Sequence, residues 1–430
     1  MSIQSFTLRN YRSFVDRTTI ELRPLTLLFG YNNTGKSVLL RTLPLIADSL
    51  KGQSTTPLAL QSLAVRESHF NELLSRISGR NEFELELSLD NAQCHCLKWT
   101  LREIPEFKTH VISRFSILYS DGVDVKAQWI AKRMSKQKKL SNEYDIQIAQ
   151  ELFSEIELEF KGLLVLPVTQ NDQITLTQET KLCRLWKPFP LETRLQWLSS
   201  IRRLPLRYNP FQGSVPNNLA PDGQGIVDIL AYDTITEKSI LPKVSHWYEK
   251  HLKQRLLVQM DNFSKGDLCR LMLEQQKNAA YQVNIVDVGE GALQVLPVLV
   301  ASAMASEGKT DILAIEEPES NLHPRLHAAL AENFCELARQ KNPPKVLLET
   351  HSENFLLHVQ LELARGLDPN LVKVYWVHQP EESDGRSIAE PVIFDKLGHP
   401  KGHKWPKDVF SEDVEQVRQL IQERRKHMKL

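Results

Sequence analysis

Gly30-Tyr31-Asn32-Asn33-Thr34-Gly35-Lys36-Ser37 is the stretch that decides the fold of this chain. It fits the pattern G-x-x-x-x-G-K-[ST], in which two glycines let a loop curl around a phosphate group. An apolar run at 25–29 precedes it, and a helical pattern of apolar residues follows from Val38. Because the motif works only between a strand and a helix, this context supports it. The sequence therefore predicts a nucleotide-binding loop rather than a glycine-rich turn with a solvated lysine.

Each residue type in this loop suits a different part of a nucleoside triphosphate. Exposed backbone N–H groups at the start of the helix favour the negative charge of phosphate. Lys36 is predicted to reach the β- and γ-phosphates, and the hydroxyl of Ser37 to bind Mg²⁺. The predicted nucleotide-binding residues of the loop are Gly30, Asn32, Asn33, Thr34, Gly35, Lys36, Ser37 and Val38.

Two adjacent acids end a second apolar run, at 311–315. A carboxylate at the end of a buried strand can hold the hydration shell of Mg²⁺, and a neighbouring one can polarise the attacking water. We predict the metal-side role for Glu316 and the catalytic role for Glu317. A purely structural role is disfavoured, because burying charges without a cation costs several kcal/mol. His351, which ends the next predicted strand, is predicted to sense the γ-phosphate or orient the water.

A pair of glycines, Gly289 and Gly291, precedes another predicted helix. Such a turn can present a second helix N-terminus to phosphate, although a simple turn is equally compatible with it. It does not open a dinucleotide-binding fold, because no βαβ unit with a ribose-binding acid follows.

Composition sets limits on the partners of the chain. Its 430 residues suffice for two or three domain-sized units, and its net charge of zero gives no global reason to bind nucleic acid. A DNA contact would need a local patch, and one basic cluster is available, although a solvated loop is the simpler interpretation of it. That cluster comprises Lys132, Arg133, Lys136, Lys138 and Lys139. No apolar run is long enough to cross a bilayer, and five scattered cysteines suit a reducing compartment, so we expect a cytoplasmic protein without membrane contact.

Hydrophobic periodicity predicts an α/β chain in four parts. Strict alternation at 82–89, followed by runs at 94–101, 111–119 and 123–130, predicts antiparallel hairpins after the first helix. Residues 141–265 have a mostly helical pattern interrupted by prolines, and a final amphipathic helix is predicted from Ser411. The predicted parts are 1–130 with the loop and an antiparallel lobe, 131–270 as a mostly helical insertion, 271–370 with the glycine turn, acids and histidine, and 371–430 as an extension.

Several segments together resemble a known class of protein. They are the Asn10-Tyr11-Arg12-Ser13-Phe14 start, the 30–37 loop, the glycine turn, the acid pair followed by Pro-Glu-Ser-Asn-Leu-His-Pro, and Glu349-Thr350-His351-Ser352. The chain resembles the ABC-type ATPase heads of the SMC/RecF/OLD class. More narrowly, it is similar to bacterial AAA-family ATPases of anti-phage defence loci, relatives of the OLD and PARIS ATPase subunits.

This resemblance implies an ABC-type P-loop ATPase head that binds ATP and Mg²⁺ between two copies of the chain. The implied roles are ATP·Mg²⁺ binding by the loop, nucleotide contact by Arg12, metal binding by Ser37 and Glu316, catalysis by Glu317, and a switch function for His351. Gly289 and Gly291 would close on the nucleotide of the other copy. The turn lacks the serine that such heads often carry, which predicts slow turnover.

The resemblance leaves two functions open, and the altered glycine turn also allows a third, a head that binds ATP structurally and hardly hydrolyses it. In the first, the ATP-bound oligomer is a sensor or scaffold that controls a separate effector, a nuclease or toxin, because the sequence shows no second catalytic set. In the second, the chain is a RecF-like repair or recombination ATPase that binds DNA through the basic cluster. Binding of DNA at two salt concentrations would separate them, since contacts to phosphate weaken steeply with salt.

Overall fold

The computed structural model describes residues 2–54, 56–90, 93–131, 140–166, 181–185, 187, 193–211, 213–236, 238–263 and 266–401. Two features from the sequence lie outside these residues: the basic cluster at 132–139 and the predicted helix from Ser411. The predicted DNA-binding patch and C-terminal helix therefore stay predictions.

The described part of the chain combines α-helices with β-strands. Its α-helices are α1 Lys36–Leu50, α2 Phe70–Leu73, α3 Ile226–Ile235, α4 Ile240–Leu252, α5 Glu290–Ser306, α6 Pro324–Ala338 and α7 Glu353–Ala364. Its first strands are β1 Ser2–Arg9, β2 Thr18–Glu21, β3 Leu25–Phe29, β4 Glu82–Asp90, β5 Cys94–Ile104, β6 Thr109–Tyr119, β7 Asp124–Trp129, β8 Glu143–Ile148, β9 Glu151–Glu157, β10 Phe160–Lys161 and β11 Leu164–Val165. The later strands are β12 Leu195–Leu198, β13 Asn209–Phe211, β14 Gln254–Phe263, β15 Gly266–Gln275, β16 Asn278–Asn284, β17 Ile312–Glu316, β18 Lys345–Thr350, β19 Val372–His378, β20 Ile388–Phe394 and β21 Pro400–Lys401. No helix among the described residues is long and apolar enough to cross a membrane.

A seven-stranded sheet in the order β12-β17-β18-β3-β19-β20-β21 carries the predicted loop. The first five strands are parallel, and β20 and β21 extend the sheet antiparallel. Every residue of β3 is buried, as expected for an apolar strand covered on both faces. The loop after β3 therefore lies at the carboxyl edge of the parallel strands, which is where ligands bind in open α/β sheets.

The two faces of this central sheet are covered by different layers. Along a strand, successive side chains point to opposite faces. Leu28 and Leu347 pack in one core with α1 and the antiparallel sheet. Leu27 and Leu348 pack in the other core with helices α3 to α7. Helix α1 thus lies between two sheets, with its N-terminus held at the edge that carries the loop.

Eight antiparallel strands form the second sheet, in the order β2-β1-β4-β5-β6-β7-β8-β9. It contains both predicted hairpins, β4 with β5 and β6 with β7. The burial of β4 alternates residue by residue, which explains why the pattern at 82–89 was readable from sequence. The predicted α/β fold, with a parallel loop-bearing sheet and a separate antiparallel region, is confirmed.

The helical prediction for residues 141–265 is wrong in several segments, which form strands. Residues 143–157 form β8 and β9, where Tyr144, Ile146 and Ile148 are buried with a period of two residues. Residues 195–198, read as part of a helix, form β12 at the edge of the central sheet. Helices α3 and α4 lie in the predicted helical part, but β14 and β15 follow them as a hairpin. Short apolar runs look alike in a helix and in a buried strand, which is the source of the error.

The buried ring of His110, in β6, leads us to expect that the fold loses stability in acid. Its ring stacks on Phe70 at 4.4 Å, and its Nε2 accepts the N–H of Leu58 at 3.2 Å. Burial lowers the pKa of His110 to about 4. Because the unfolded chain then binds the proton first, this stabilisation is present above about pH 6.5 and is lost as pH falls toward 4. We expect His110 to account for about 2 kcal/mol of lost unfolding free energy between pH 7.5 and pH 5.

Urea unfolding of wild type and His110→Gln at both pH values measures this contribution. Gln keeps an acceptor for Leu58 but cannot be protonated, so the variant should lose about 2 kcal/mol less than wild type on acidification. Equal losses in the two proteins would show that another group controls the acid response.

Candidate nucleotide-binding site

The two glycines of the 30–37 loop are needed for different reasons. A side chain at Gly30 would overlap the carbonyl oxygen of Val377 on the neighbouring strand β19. Gly35 has φ of 98°, a left-handed conformation, and a Cβ there would lie 2.9 Å from the ring of Phe14. Glycine alone tolerates this backbone at low cost. The sequence motif therefore reflects close packing of the loop between β19 and the 10–14 turn.

The N-terminal turn brings Arg12 to the loop. Arg12 has φ of 50°, and its N–H donates to the carbonyl of Leu73 at 2.8 Å. One guanidinium nitrogen donates to Ser68 Oγ at 3.1 Å. The turn is also tied to β20 by the N–H of Ser387, which donates to the carbonyl of Ser13 at 2.9 Å. Arg12, predicted to touch nucleotide, therefore faces the loop, and its role stays a prediction.

A cavity of about 340 Å³ lies over the loop. It is lined by six residues of the 30–37 loop together with Val38, Arg12 and Glu317, all of which the sequence predicted, and by five others, which it did not. The lining residues are Tyr11, Arg12, Asn32, Asn33, Thr34, Gly35, Lys36, Ser37, Val38, Arg41, Ala64, Arg66, Glu317 and Glu349. The structure therefore brings the predicted loop and one of the predicted acids, which are far apart in sequence, to a single cavity.

Lys36 is buried beneath the loop. Its Nζ donates to the carbonyl of Gly30 at 2.9 Å and to that of Tyr31 at 2.7 Å. Burial lowers the pKa of Lys36, and the charges of Glu349, Glu317 and Glu319 oppose this shift. The ammonium group is thus held inside the loop, at the place where phosphate oxygens can replace carbonyls as its acceptors.

Glu316 is fully engaged by neighbours other than the loop. Arg41 of α1 donates to both of its carboxylate oxygens, from Nε at 2.6 Å and from Nη2 at 2.6 Å. Trp197 Nε1 donates to Glu316 Oε1, the oxygen that also accepts from Arg41 Nε, at 3.3 Å. Bidentate pairing with a guanidinium is among the stronger charge-assisted interactions. The structure therefore does not bring Glu316 to Ser37, and its metal-side role has no contact in support.

Glu349, which the sequence reasoning missed, is the carboxylate beside Ser37. Ser37 Oγ donates to Glu349 Oε1 at 2.7 Å. Burial raises the pKa of Glu349 to about 7; the bond from Ser37 opposes this shift, whereas the charge of Glu316 adds to it. One signal was available in the sequence: an acid follows the apolar residues 346–348 in the strand before His351.

Glu317 is held in a strained turn that faces the cavity. Its φ is 40°, which is unusual for a residue with a side chain. Its N–H donates to the carbonyl of Glu349 at 2.8 Å, and its carbonyl accepts from Arg202 at 2.9 Å. Ser320 Oγ donates to its Oε2 at 2.8 Å. These contacts fix both backbone and side chain of Glu317, as is common where strain is stored at a functional site.

His351 lies at the end of β18 with its side chain about half exposed. Its N–H lies 3.3 Å from Glu319 Oε1, and its Nδ1 lies 3.9 Å from the same oxygen. Glu319 is itself buried and accepts the hydroxyl of Thr350 at 2.5 Å. Among the described residues, those lining the cavity do not include His351. The predicted switch residue is thus near the acids but outside the cavity of its own copy.

The glycine turn forms a second surface, away from the loop. Gly289 precedes α5, and a Cβ there would meet no atom within 4 Å. At Gly291 a Cβ would lie 3.0 Å from the carbonyl oxygen of Asn321, in the loop after the acid pair. Neither glycine belongs to the described lining of the cavity. The turn and the loop after the acids therefore form one surface, outside the cavity of the same copy.

The donor atoms at Ser37 fit Mg²⁺. Magnesium prefers oxygen ligands and usually takes one or two from the protein, completing its shell with water and phosphate. Ser37 and Glu349 offer a hydroxyl and a carboxylate, and Glu349 Oε2 has no hydrogen-bond partner among the described residues. Among the residues that the structure describes, no group of three or more His, Cys, Asp or Glu could hold a metal ion alone. The site thus fits a metal that is shared with the nucleotide.

Two family models match successive parts of the chain. A model described as "AAA ATPase domain" matches residues 1–181, and one described as "AAA domain, putative AbiEii toxin, Type IV TA system" matches residues 174–357. The two matches meet near residue 180 and together include the loop, the acids and the glycine turn. No curated protein matches the chain.

Solved SMC heads are similar in structure at low sequence identity. One is the SmcHead bound to the C-winged helix domain of ScpA, with 12% identity, a TM-score of 0.48, and 92% of this chain and 99% of that chain covered. Another, derived from Pyrococcus furiosus, is the Smc head with an extended coiled coil bound to the C-terminal domain of ScpA, with 11% identity, a TM-score of 0.45, and 99% of each chain covered. A third, from Thermotoga maritima, has 10% identity, a TM-score of 0.39, and 92% of this chain and 100% of that chain covered.

The predicted family is confirmed at the level of the ATPase domain. Both family models describe an AAA domain, and the loop within the match to residues 1–181 has the backbone and the lysine geometry of a phosphate-binding loop. Residues 1–357 of the chain thus match AAA-type P-loop ATPase domains.

Proposed function

We propose that this protein binds ATP with Mg²⁺ at the 30–37 loop and hydrolyses it, with Glu317 as the catalytic acid. The observation that carries the proposal is the position of Glu317. Its carboxylate faces the same cavity as Lys36 and Ser37, and the turn that carries it is fixed by Arg202. A cavity with a phosphate-binding loop on one side and an oriented carboxylate on the other is suited to attack of water on a terminal phosphate.

The residues of the chain divide this chemistry among them. Lys36 exchanges its two carbonyl acceptors for phosphate oxygens and holds the transferred group in place. Backbone N–H groups at the start of α1 bind the other phosphate oxygens. Glu317 orients the attacking water and takes its proton. Bound Mg²⁺ would supply positive charge for the phosphate oxygens.

The first test measures ATP binding after substitution of Lys36. Lys36→Ala should weaken binding of a fluorescent ATP analogue roughly 10- to 100-fold, because it removes a charged donor to phosphate. Lys51→Ala is a matched control, since Lys51 follows the same helix but its exposed side chain pairs with Asp48. Release of phosphate from MgATP by wild type tests hydrolysis. Wild type that neither binds nor cleaves ATP would overturn the proposed function.

A second copy of the chain is part of the proposal. Gly289, Gly291, His351 and the 320–323 loop lie outside the described lining of the cavity. Such an arrangement supports a dimer or higher oligomer in which one copy presents these residues to the ATP bound by the other. Light scattering with ATP and with ADP measures it, and an ATP-dependent increase in mass is the expected result.

We further propose that the ATP-bound oligomer is a sensor or scaffold for a separate effector, a nuclease or a toxin, in anti-phage defence. The description of the model that matches residues 174–357, which names a toxin and a type IV system, supports this context. The experiment is co-purification of the chain with the product of its neighbouring gene, with and without ATP. An effector held under both conditions would contradict control by ATP.

A further inference from the structure

We propose that Glu349, rather than Glu316, supplies the protein carboxylate at the Mg²⁺ site. This inference rests on the proposed function, because it concerns the metal that accompanies ATP in the same cavity. It assigns the metal-side role to a different strand from the one that the sequence pattern indicated.

Strand order gives the first reason. Strand β18 lies between β17 and β3, so Glu349 is on the immediate neighbour of the strand that carries the loop. Neighbouring strands lie about 4.8 Å apart, so the backbone of β17 lies about 10 Å from β3 and that of β18 about half as far. Glu316 and Glu349 are directly paired in register, so they lie at the same height along the sheet on different strands. Ser37 Oγ accordingly meets Glu349, at 2.7 Å.

The free coordination capacity of the two carboxylates gives the second reason. Glu349 faces the cavity, is only 4% exposed, and its Oε2 has no hydrogen-bond partner within the described residues. A buried carboxylate oxygen without a partner is costly unless a cation or donor meets it. Both oxygens of Glu316, by contrast, already accept from Arg41, whose side chain is only 12% exposed. Using Glu316 for metal would leave the buried guanidinium of Arg41 unpaired.

The arrangement also explains how Arg41 and Glu316 serve the site. Their ion pair ties α1, which begins at the loop, to β17, which ends beside Glu317. Trp197 on β12 also donates a hydrogen bond to the carboxylate of Glu316. The first acid of the pair thus has a structural partner for each oxygen, and the carboxylate that remains available at Ser37 is Glu349.

The experiment measures how much Mg²⁺ strengthens nucleotide binding. Affinity for a fluorescent ATP analogue is determined with Mg²⁺ and with EDTA, and the ratio of the two is the metal coupling. In Glu349→Gln we expect a roughly 10- to 100-fold loss of this coupling, the range typical for removal of a group that supports a metal. With EDTA, Glu349→Gln should bind at least as tightly as wild type, since a negative charge near the phosphates is removed. Glu349→Asp should recover part of the coupling.

Glu316→Gln is the matched variant, because Glu316 on β17 is paired in register with Glu349 on β18. It should keep the metal coupling of wild type within about threefold, while its melting temperature falls because Arg41 loses a charged partner. Bound Mn²⁺, counted by electron paramagnetic resonance with ADP present, gives an independent readout and should be reduced in Glu349→Gln only. The inference is overturned if Glu316→Gln loses the coupling and Glu349→Gln keeps it, or if neither variant changes it. A variant that also loses nucleotide binding in the presence of EDTA is misfolded. The metal coupling of Glu349→Asp then decides the assignment.

The two proposals fail differently. If wild type binds no nucleotide under either condition, the proposed function and this inference both fall. If wild type binds ATP with clear metal coupling that Glu349→Gln preserves, only the assignment of the carboxylate is wrong.

Discussion

Glu317→Gln is expected to lower the rate of ATP hydrolysis by roughly two to four orders of magnitude, the usual contribution of a positioned general base. The amide keeps the size of the side chain and can still meet the hydroxyl of Ser320, but it cannot take a proton from water. The turn that places residue 317 depends on its backbone contacts with Glu349 and Arg202, which the substitution does not touch. The effect should therefore be on turnover, with the fold unchanged.

Nucleotide binding separates loss of catalysis from loss of the site. Glu317→Gln should bind the fluorescent ATP analogue within about threefold of wild type, because the phosphates are held by Lys36 and the start of α1. Held but uncleaved ATP should also make the ATP-dependent increase in mass most pronounced in this variant. Glu336→Gln, on an exposed position of α6, is the control and should match wild type in all three measurements. Undiminished hydrolysis by Glu317→Gln would remove Glu317 from the mechanism.

Sequence patterns predicted the fold where local chemistry alone determines the structure. The glycines of the 30–37 loop are required by their own backbone and close neighbours, so the motif was sufficient. The β4–β5 hairpin alternates between a buried and a solvated face, which gives an unambiguous period of two. In β12, by contrast, the four residues 195–198 become a strand because β17 pairs with them. That partner is more than a hundred residues away, and no local pattern reports it.

The same distinction applies to the candidate site. Glu316 and Glu317 are adjacent in sequence, and their different environments arise from contacts with α1, β12 and the 202 region. A carboxylate that is neutralised by Arg41 cannot be distinguished from a free one without knowing where α1 packs. Glu349 was overlooked because its meaning depends on strand order: only the insertion of β18 between β17 and β3 places it beside Ser37.

Arg202 illustrates this dependence on distant contacts and is expected to have the largest effect on stability. Its guanidinium donates to the carbonyl of Glu316 at 2.5 Å and to that of Glu317 at 2.9 Å, and the residue is 5% exposed. Burial lowers the pKa of Arg202 to about 10, and the charges of Glu319, Glu316 and Glu317 oppose this shift. Since that value is still well above 7, Arg202 is charged at neutral pH and lies among three carboxylates.

Arg202→Met should lower the free energy of unfolding by about 3–5 kcal/mol, because it removes a charged donor from two carbonyls and the cation among the acids. The neighbouring Arg203→Met is a closely matched control. The side chain of Arg203 is 62% exposed and pairs with Asp222 at the surface, so its loss should cost less than about 1 kcal/mol. Urea unfolding of the two variants and wild type measures the difference.

Kinetics then show whether Arg202 also positions the catalytic turn. With Arg202 gone, the carbonyl of Glu317 keeps the N–H of Ser320 as a donor at 3.1 Å but loses the charged donor, so the left-handed turn with φ of 40° is held less firmly. The value of kcat should fall more than KM changes, since the loop that binds ATP is not in contact with Arg202 among the described residues. Arg202→Lys should recover part of kcat, because an ammonium can reach one of the two carbonyls but not both with fixed geometry. Equal loss of kcat in Arg202→Met and Arg203→Met would contradict this role, whereas a stability loss with unchanged kcat would limit Arg202 to holding the fold.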